Sequence, residues 1–297
     1  MFAERSGNQV RKRVDVSAAP ISHQRVDGLA RVSFTRDVDG RTRLADLHQR
    51  APCRILFPQV EADEPVQAVL LTTSGGLTGG DRTRLEVAIG AGARATVTTQ
   101  AAEKLYRALP DAPDAQVGVG FAVGPGAWSE WLAQETILFD RARLRRSFEA
   151  DVAPGGRLLA VESTVFGRTA MGERFDGGTL HDGWRIRRDG RLVWADTLRL
   201  CGDVRRQRAQ PFGFGTAIAC STIVYVGADA AGQLAEARRL LDGSACEGGA
   251  TAFDGVLLVR LLADQALALR SAVMALVAGL RRATAALPAR LPRVWYC

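Results

Sequence analysis

The chain has 297 residues, 47% hydrophobic and 24% charged, with a formal net charge of +7. That suits one large domain or two small ones with an ample core. The basic side is almost all arginine, dispersed, and without an RNP, zinc-finger or helix-turn-helix signature, so nucleic acid is not an expected partner. The excess fits either a coding bias toward arginine or a surface built for carboxylate-rich or phosphate-rich partners.

Residues 1 to about 25 are polar and poor in large apolar side chains, which predicts a disordered arm and leaves 26–297 as a single domain. No apolar stretch follows Arg11-Lys12-Arg13, so no secretory signal is expected. From Leu29 to about Val224, short β-branched and aromatic segments alternate with glycine-rich breaks, predicting a dozen or more strands. Asp39-Gly40 and Asp189-Gly190 are hairpin signals. Gly124-Pro125-Gly126 and Val152 to Gly156 read as further turns. A helix is predicted over Gln233 to Leu241, stopped by Gly243, then a strand over Phe253 to Arg260. Ala263 to Ala286 reads as a long helix packed on the β core, and the apolar, proline-interrupted tail 287–297 should dock on something. No repeat of fixed period stands out. The longest apolar run, Ala272 to Leu280, is far short of the roughly 20 residues that span a bilayer.

Ser74-Gly75-Gly76-Leu77-Thr78-Gly79-Gly80-Asp81-Arg82 is the most unusual backbone. Gly75 and Gly80 have phosphate-loop spacing, but Asp81-Arg82 stands where Lys-Ser/Thr is required. The alternating Thr83 to Ile89 that follows reads as a strand. The run is therefore expected to fix a turn. Gly118-Val119-Gly120 lacks the third glycine of a dinucleotide site.

The histidines, His23, His48 and His181, are isolated, and the five cysteines have no CxxC spacing, which fits a reducing cytoplasm. Carboxylates are more suggestive: Asp81, Glu135, Asp140, Glu162, Glu173 and Asp176 fall in or beside apolar, glycine-rich strands. There a charge must be paired with arginine or bind a cation. Oxygen ligands alone hold a first-row metal weakly, which suits transit.

Gly75 to Asp81, Thr98-Thr99-Gln100-Ala101-Ala102 with Tyr106-Arg107, Trp131 to Asp140, and Gly167 to Glu173 occur in this order. Together they resemble the urease accessory proteins called UreD, or UreH in some bacteria, from about Leu29 to the C terminus. Glu103 departs from the small polar residue usual in that family. The resemblance implies a mainly β, solenoid-like fold with two α-helices near the C terminus. It also implies a cytoplasmic, non-enzymatic scaffold that binds UreF, recruits the GTPase UreG and docks on apo-urease (UreA/UreB/UreC). Nickel would then be cargo in transit through an internal channel, with no tightly bound cofactor. Asp81, Glu135, Asp140 and Glu173 are the expected transient nickel ligands, and the tail with Trp295 and Tyr296 the expected UreF contact. The competing reading is a β-solenoid carbohydrate-active enzyme, which needs two convergent carboxyls in an aromatic-lined cleft.

Overall fold

The computed structural model describes residues 24–297, so the predicted arm lies almost wholly outside the described residues, as does His23. Seventeen strands follow. The first are β1 (Asp27–Arg36), β2 (Thr42–Arg50), β3 (Cys53–Leu56), β4 (Val66–Thr72), β5 (Arg82–Ile89), β6 (Arg94–Thr99), β7 (Glu103–Leu105) and β8 (Ala115–Val123). Next come β9 (Trp128–Leu132), β10 (Thr136–Leu138), β11 (Arg143–Val152), β12 (Arg157–Phe166), β13 (Gly177–Arg188) and β14 (Arg191–Asp203). A short helix α1 (Val204–Arg208) precedes β15 (Ala219–Val226), α2 (Leu234–Asp242), β16 (Glu247–Phe253), β17 (Val256–Ala263) and α3 (Ala266–Ala285).

Two open sheets result. One has seven strands in the order β14-β13-β11-β8-β5-β1-β2; the other runs β16-β17-β15-β12-β9-β6-β4-β3, with β10 bridging β12 to β7. From β4 to β13 the chain winds back and forth between the sheets, each coil adding parallel strands. This is the expected solenoid. Arg82, Gln116, Arg145 and His181 occupy one position of successive coils, at separations of 34, 29 and 36 residues. The sequence therefore carries a repeat after all, hidden because its coils differ in length.

On one side the coils close through three four-residue turns, 90–93, 124–127 and 153–156. Each places a glycine at positive φ: Gly92 at 66°, Gly126 at 64° and Gly155 at 71°. Adjacent turns are tied by Gly92 N–H donating to Pro125 O at 2.9 Å. A Cβ on Gly126 would meet nothing within 4 Å. Gly126→Ala should thus show the backbone penalty alone, a loss of about 1–2 kcal/mol read from urea unfolding.

Both predicted hairpins form, at β1–β2 and β13–β14. The glycine run is a turn, as expected, with Gly75, Gly76 and Gly80 all at positive φ. A Cβ on Gly76 would come within 2.5 Å of the Tyr106 ring. The long C-terminal helices form within three residues of the predicted limits; α1 and β16 were not anticipated.

The sheets differ in cover. Leu269, Val273, Leu276, Val277 and Leu280 of α3 bury against Leu159, Val161, Ile223 and Val259 on the outer face of the larger sheet. Covered on both faces, β12 is almost continuously buried. In the smaller sheet β11 alternates strictly, its outward positions exposed. No helix among the described residues is long and apolar enough to cross a membrane.

The tail corrects one expectation. Leu287, Leu291 and Trp295 are buried in this chain's own core, Trp295 being only 2% exposed. Trp295 Nε1–H donates to Thr98 Oγ1 at 3.1 Å. What the tail docks on is the body of its own chain, and Trp295 is not presented to a partner. Tyr296 is exposed, at 59%, beside a groove of about 880 Å³ lined also by Leu56, Phe57 and Val60.

Candidate functional site

Between the sheets, apolar packing is interrupted by charge. The alternation of β11 aims Leu144, Arg146, Phe148 and Ala150 inward, so a guanidinium is committed to the interior. In β13 the same alternation aims Asp182 inward between Leu180 and Trp184. Glu162 enters from β12 on the opposite sheet. Arg146 Nε and Nη2 donate to the two Asp182 oxygens at 2.9 and 2.5 Å, and Nη1 donates to Glu162 Oε2 at 2.6 Å. The hydroxyls of Thr136 and Thr164 accept further bonds from Arg146 at 3.0 and 3.2 Å, and Trp131 Nε1–H donates to Glu162 Oε1 at 2.8 Å.

Burial by itself would lower the Arg146 pKa, but the charges of Asp182 and Glu162 outweigh it and the net shift is upward. Burial pushes Glu162 up, against the pull of Arg146. Burial and the Asp182 charge push the nearby Cys220 thiol up to about 12, leaving it protonated and unreactive.

Beside this cluster lies a cavity of about 70 Å³, with room for a few water molecules, whose polar lining includes Cys53, Thr72, Arg84, Glu103, Gln134, Arg146 and Glu162. Glu103 accepts from the Thr72 hydroxyl at 3.0 Å and from Lys104 N–H at 3.2 Å. Burial raises its pKa, with those bonds pulling partly back. Burial and the Glu103 charge push the Cys53 thiol up to about 11. Two carboxylates and a thiol thus face one small space lined by two arginines, Arg146, which is already shared with Asp182, and Arg84, which pairs with Glu86. An entering divalent cation would favour the ionised form of all three groups.

The four carboxylates singled out in the sequence lie elsewhere, each with a donor. Asp81 accepts from Val26 N–H at 3.0 Å and Thr78 N–H at 2.8 Å, closing the glycine-rich turn. Glu135 takes both oxygens to Arg270 Nη1, at 2.9 and 2.8 Å. Arg270 also donates to Gln134 Oε1 and to Trp295 O, locking the tail. Asp140 accepts from the N–H groups of Asp176 and Gly177 at 3.1 and 3.0 Å. Glu173 pairs with Arg168 at 2.6 Å on the surface. The structure does not bring these four together, and no group of three or more His, Cys, Asp or Glu side chains forms a metal-sized cluster among the described residues. The residues that sequence reasoning passed over are Arg146, Asp182 and Cys53. The inward phase of Arg146 and Asp182, flanked by Leu144 and Phe148 or by Leu180 and Trp184, was the available signal.

Residues 26–296 match the family model described as UreD urease accessory protein. The chain belongs to the UreD family. Its UreD relatives include the urease accessory protein UreD of Rhizobium leguminosarum bv. viciae, 41% identical over 94% of this chain and 98% of the relative. Urease accessory protein UreD 2 of Methylorubrum populi is 43% identical over 92% and 91%. Urease accessory protein UreD of Xanthobacter autotrophicus is 42% identical over 92% and 90%. In this UreD chain the inter-sheet cavity carries Glu103.

Proposed function

We propose that the chain is a cytoplasmic, non-enzymatic helper in urease maturation that binds UreF, recruits the GTPase UreG and apo-urease, and assists nickel delivery. The observation that carries this reading is family membership over nearly the whole described chain. The cavity supports the cargo role, since Glu103, Glu162 and Cys53 offer few donors and a loose hold. Asp81, Glu135, Asp140 and Glu173 remain proposed transient ligands, with the backbone bonds of Asp81 and Asp140 as their competing duty.

Complementation of a urease operon lacking its own scaffold gene tests the role, with urease nickel and activity measured together. The wild-type chain should restore both. Glu103→Gln, which keeps the Thr72 contact, should lower urease nickel several-fold while UreF capture stays intact. Normal delivery by Glu103→Gln and by the four other carboxamide variants would remove the metal route from the proposal but leave the scaffold. Tyr296→Ala, which spares the buried Trp295, should weaken UreF capture; an unchanged affinity would place that interface elsewhere.

Glycosidase chemistry gains nothing from the structure: Glu162 and Asp182 converge on Arg146 in the interior, where no sugar could lie between them.

A further inference from the structure

The outer face of the seven-stranded sheet is unusual for its pairing. Its ladders from β1 through β5, β8 and β11 to β13 are all parallel. Parallel ladders are normally covered on both faces. Here the outward positions of β11, Arg145, Ser147, Glu149 and Asp151, are all exposed. Among the described residues nothing packs over them.

That face is patterned. Arg82, Gln116, Arg145, His181 and Arg199 are register neighbours on β5, β8, β11, β13 and β14. At about 4.8 Å per strand the row crosses the sheet over roughly 19 Å, with its three arginine backbone positions about 10 Å apart. Arg82, Arg145 and Arg199 are exposed, and none forms an ion pair among the described residues. At the β1 end of the row Asp27 is already engaged by Arg50, and Glu86 by Arg31 and Arg84. Alongside, on β8, β11, β13 and β14, runs a second row, Gly118, Ser147, Gly183 and Thr197, with no long side chain, ended on β5 by Arg84. The result is a trough, resolved as depressions of about 640 and 510 Å³ that meet at Arg145, Ser147 and Glu149.

We infer that this face docks an extended acidic segment of a partner protein, laid across the strands in the trough with its carboxylates on Arg82, Arg145 and Arg199. Unpaired guanidiniums at an exposed, regular spacing suit bidentate carboxylate recognition. Charge decides between occupants. The chain's own residues 1–23 carry Arg5, Arg11, Lys12 and Arg13 against only Glu4 and Asp15, so they do not complement the row. A second copy would bring the same cations face to face. The exposed Glu149 and Asp151 beside the row oppose a phosphate backbone and an acidic peptide alike, so the test carries an oligonucleotide as its second probe. The surface lies on the opposite side of the sheet from the cavity and does not rest on the metal reading.

Fluorescence anisotropy of fluorescein-labelled deca-glutamate with the full-length chain tests the inference, with a ten-nucleotide oligothymidylate as second probe. The triple variant R82A/R145A/R199A should bind the peptide at least tenfold more weakly than wild type. A charge-matched control on other exposed positions, R191A/R238A/R282A, should lose less than threefold. G118V/G183V fills the trough while keeping every charge, the Cβ of either residue meets no atom closer than 3.7 Å, and an unchanged circular dichroism spectrum and urea midpoint verify its fold. It should weaken the peptide at least fivefold. The inference is overturned by absence of wild-type binding, by equal losses in the triple variant and its control, or by full binding to G118V/G183V. Tighter binding of the oligonucleotide than of the peptide, lost in the same triple variant, overturns it in favour of a nucleic-acid surface.

Discussion

Replacing Arg146 by methionine should destabilise the fold by about 3–5 kcal/mol, because it leaves Glu162 and Asp182 buried without their countercharge. Urea unfolding of the purified chain reads the loss. The deficit should also depend on pH. In the native protein burial already raises the Glu162 pKa while Arg146 holds it down. Removing Arg146 raises it further above its unfolded value, so the variant's native state binds more protons than its unfolded state. Stability then falls as pH rises through that range and recovers below it. The deficit at pH 8 should therefore exceed that at pH 5. A loss below 1 kcal/mol, or one flat with pH, would mean the cluster is hydrated and its charges screened. Replacing Arg146, Glu162 and Asp182 together by apolar residues of similar volume should restore most of the stability, since the penalty lies in unpaired charge rather than in a missing attraction.

Arg281→Leu is expected to be comparably severe, again about 3–5 kcal/mol, with a local signature of its own. Arg281 is fully buried in α3. Its Nε donates to Glu130 Oε1 of β9 at 2.8 Å and its Nη2 to Glu64 Oε2 at 2.6 Å. It also donates to the carbonyls of Pro288 and Arg290. One side chain thus joins the helix, the larger sheet, the loop before β4 and the tail. Its loss strands Glu130, whose remaining side-chain donor is the Thr96 hydroxyl. Trypsin should then cut after Arg290 and Arg293 at least tenfold faster than in the wild-type chain, before global unfolding. Adding Glu130→Gln to Arg281→Leu should return part of the stability by removing the stranded charge. A tail that stays protected would show that Leu287, Leu291 and Trp295 hold it without the tether.

The sequence was most legible where local chemistry decides the backbone. Asp39-Gly40 and Asp189-Gly190 announce their hairpins, and Asp81-Arg82 after the glycine run announces a strand rather than a phosphate-binding helix. The long helix was legible from its apolar spacing. The coil repeat was not, because a solenoid constrains only which residues stack and lets its connections vary in length. At the candidate site, attention to carboxylates in glycine-rich segments favoured residues that cap turns, as Asp81 and Asp140 do. The interior charge instead announces itself by phase: Arg146 and Asp182 occupy inward positions of strands that otherwise alternate cleanly. The tail misled because an apolar segment does not state whose core it completes.

The three short turns on one side of the coils have a mechanical consequence. They join the ends of β5, β8 and β11 to the starts of β6, β9 and β12, clipping both sheets together like the binding of a book. The cavity sits at the other ends of those strands, near Thr83, Val117 and Leu144 on one sheet and Thr72 and Thr99 on the other. There the sheets are joined by the longer segments 73–81, 100–114, 133–142 and 167–176, and by the two-residue link 51–52 between β2 and β3. The two edges therefore differ in the length of chain that spans them, the cavity edge being held by the link 51–52 and by the ladder of β7, β10 and β12. The edge of three short turns leaves the sheets no slack, so the spare length of chain between them lies at the edge beside the cavity.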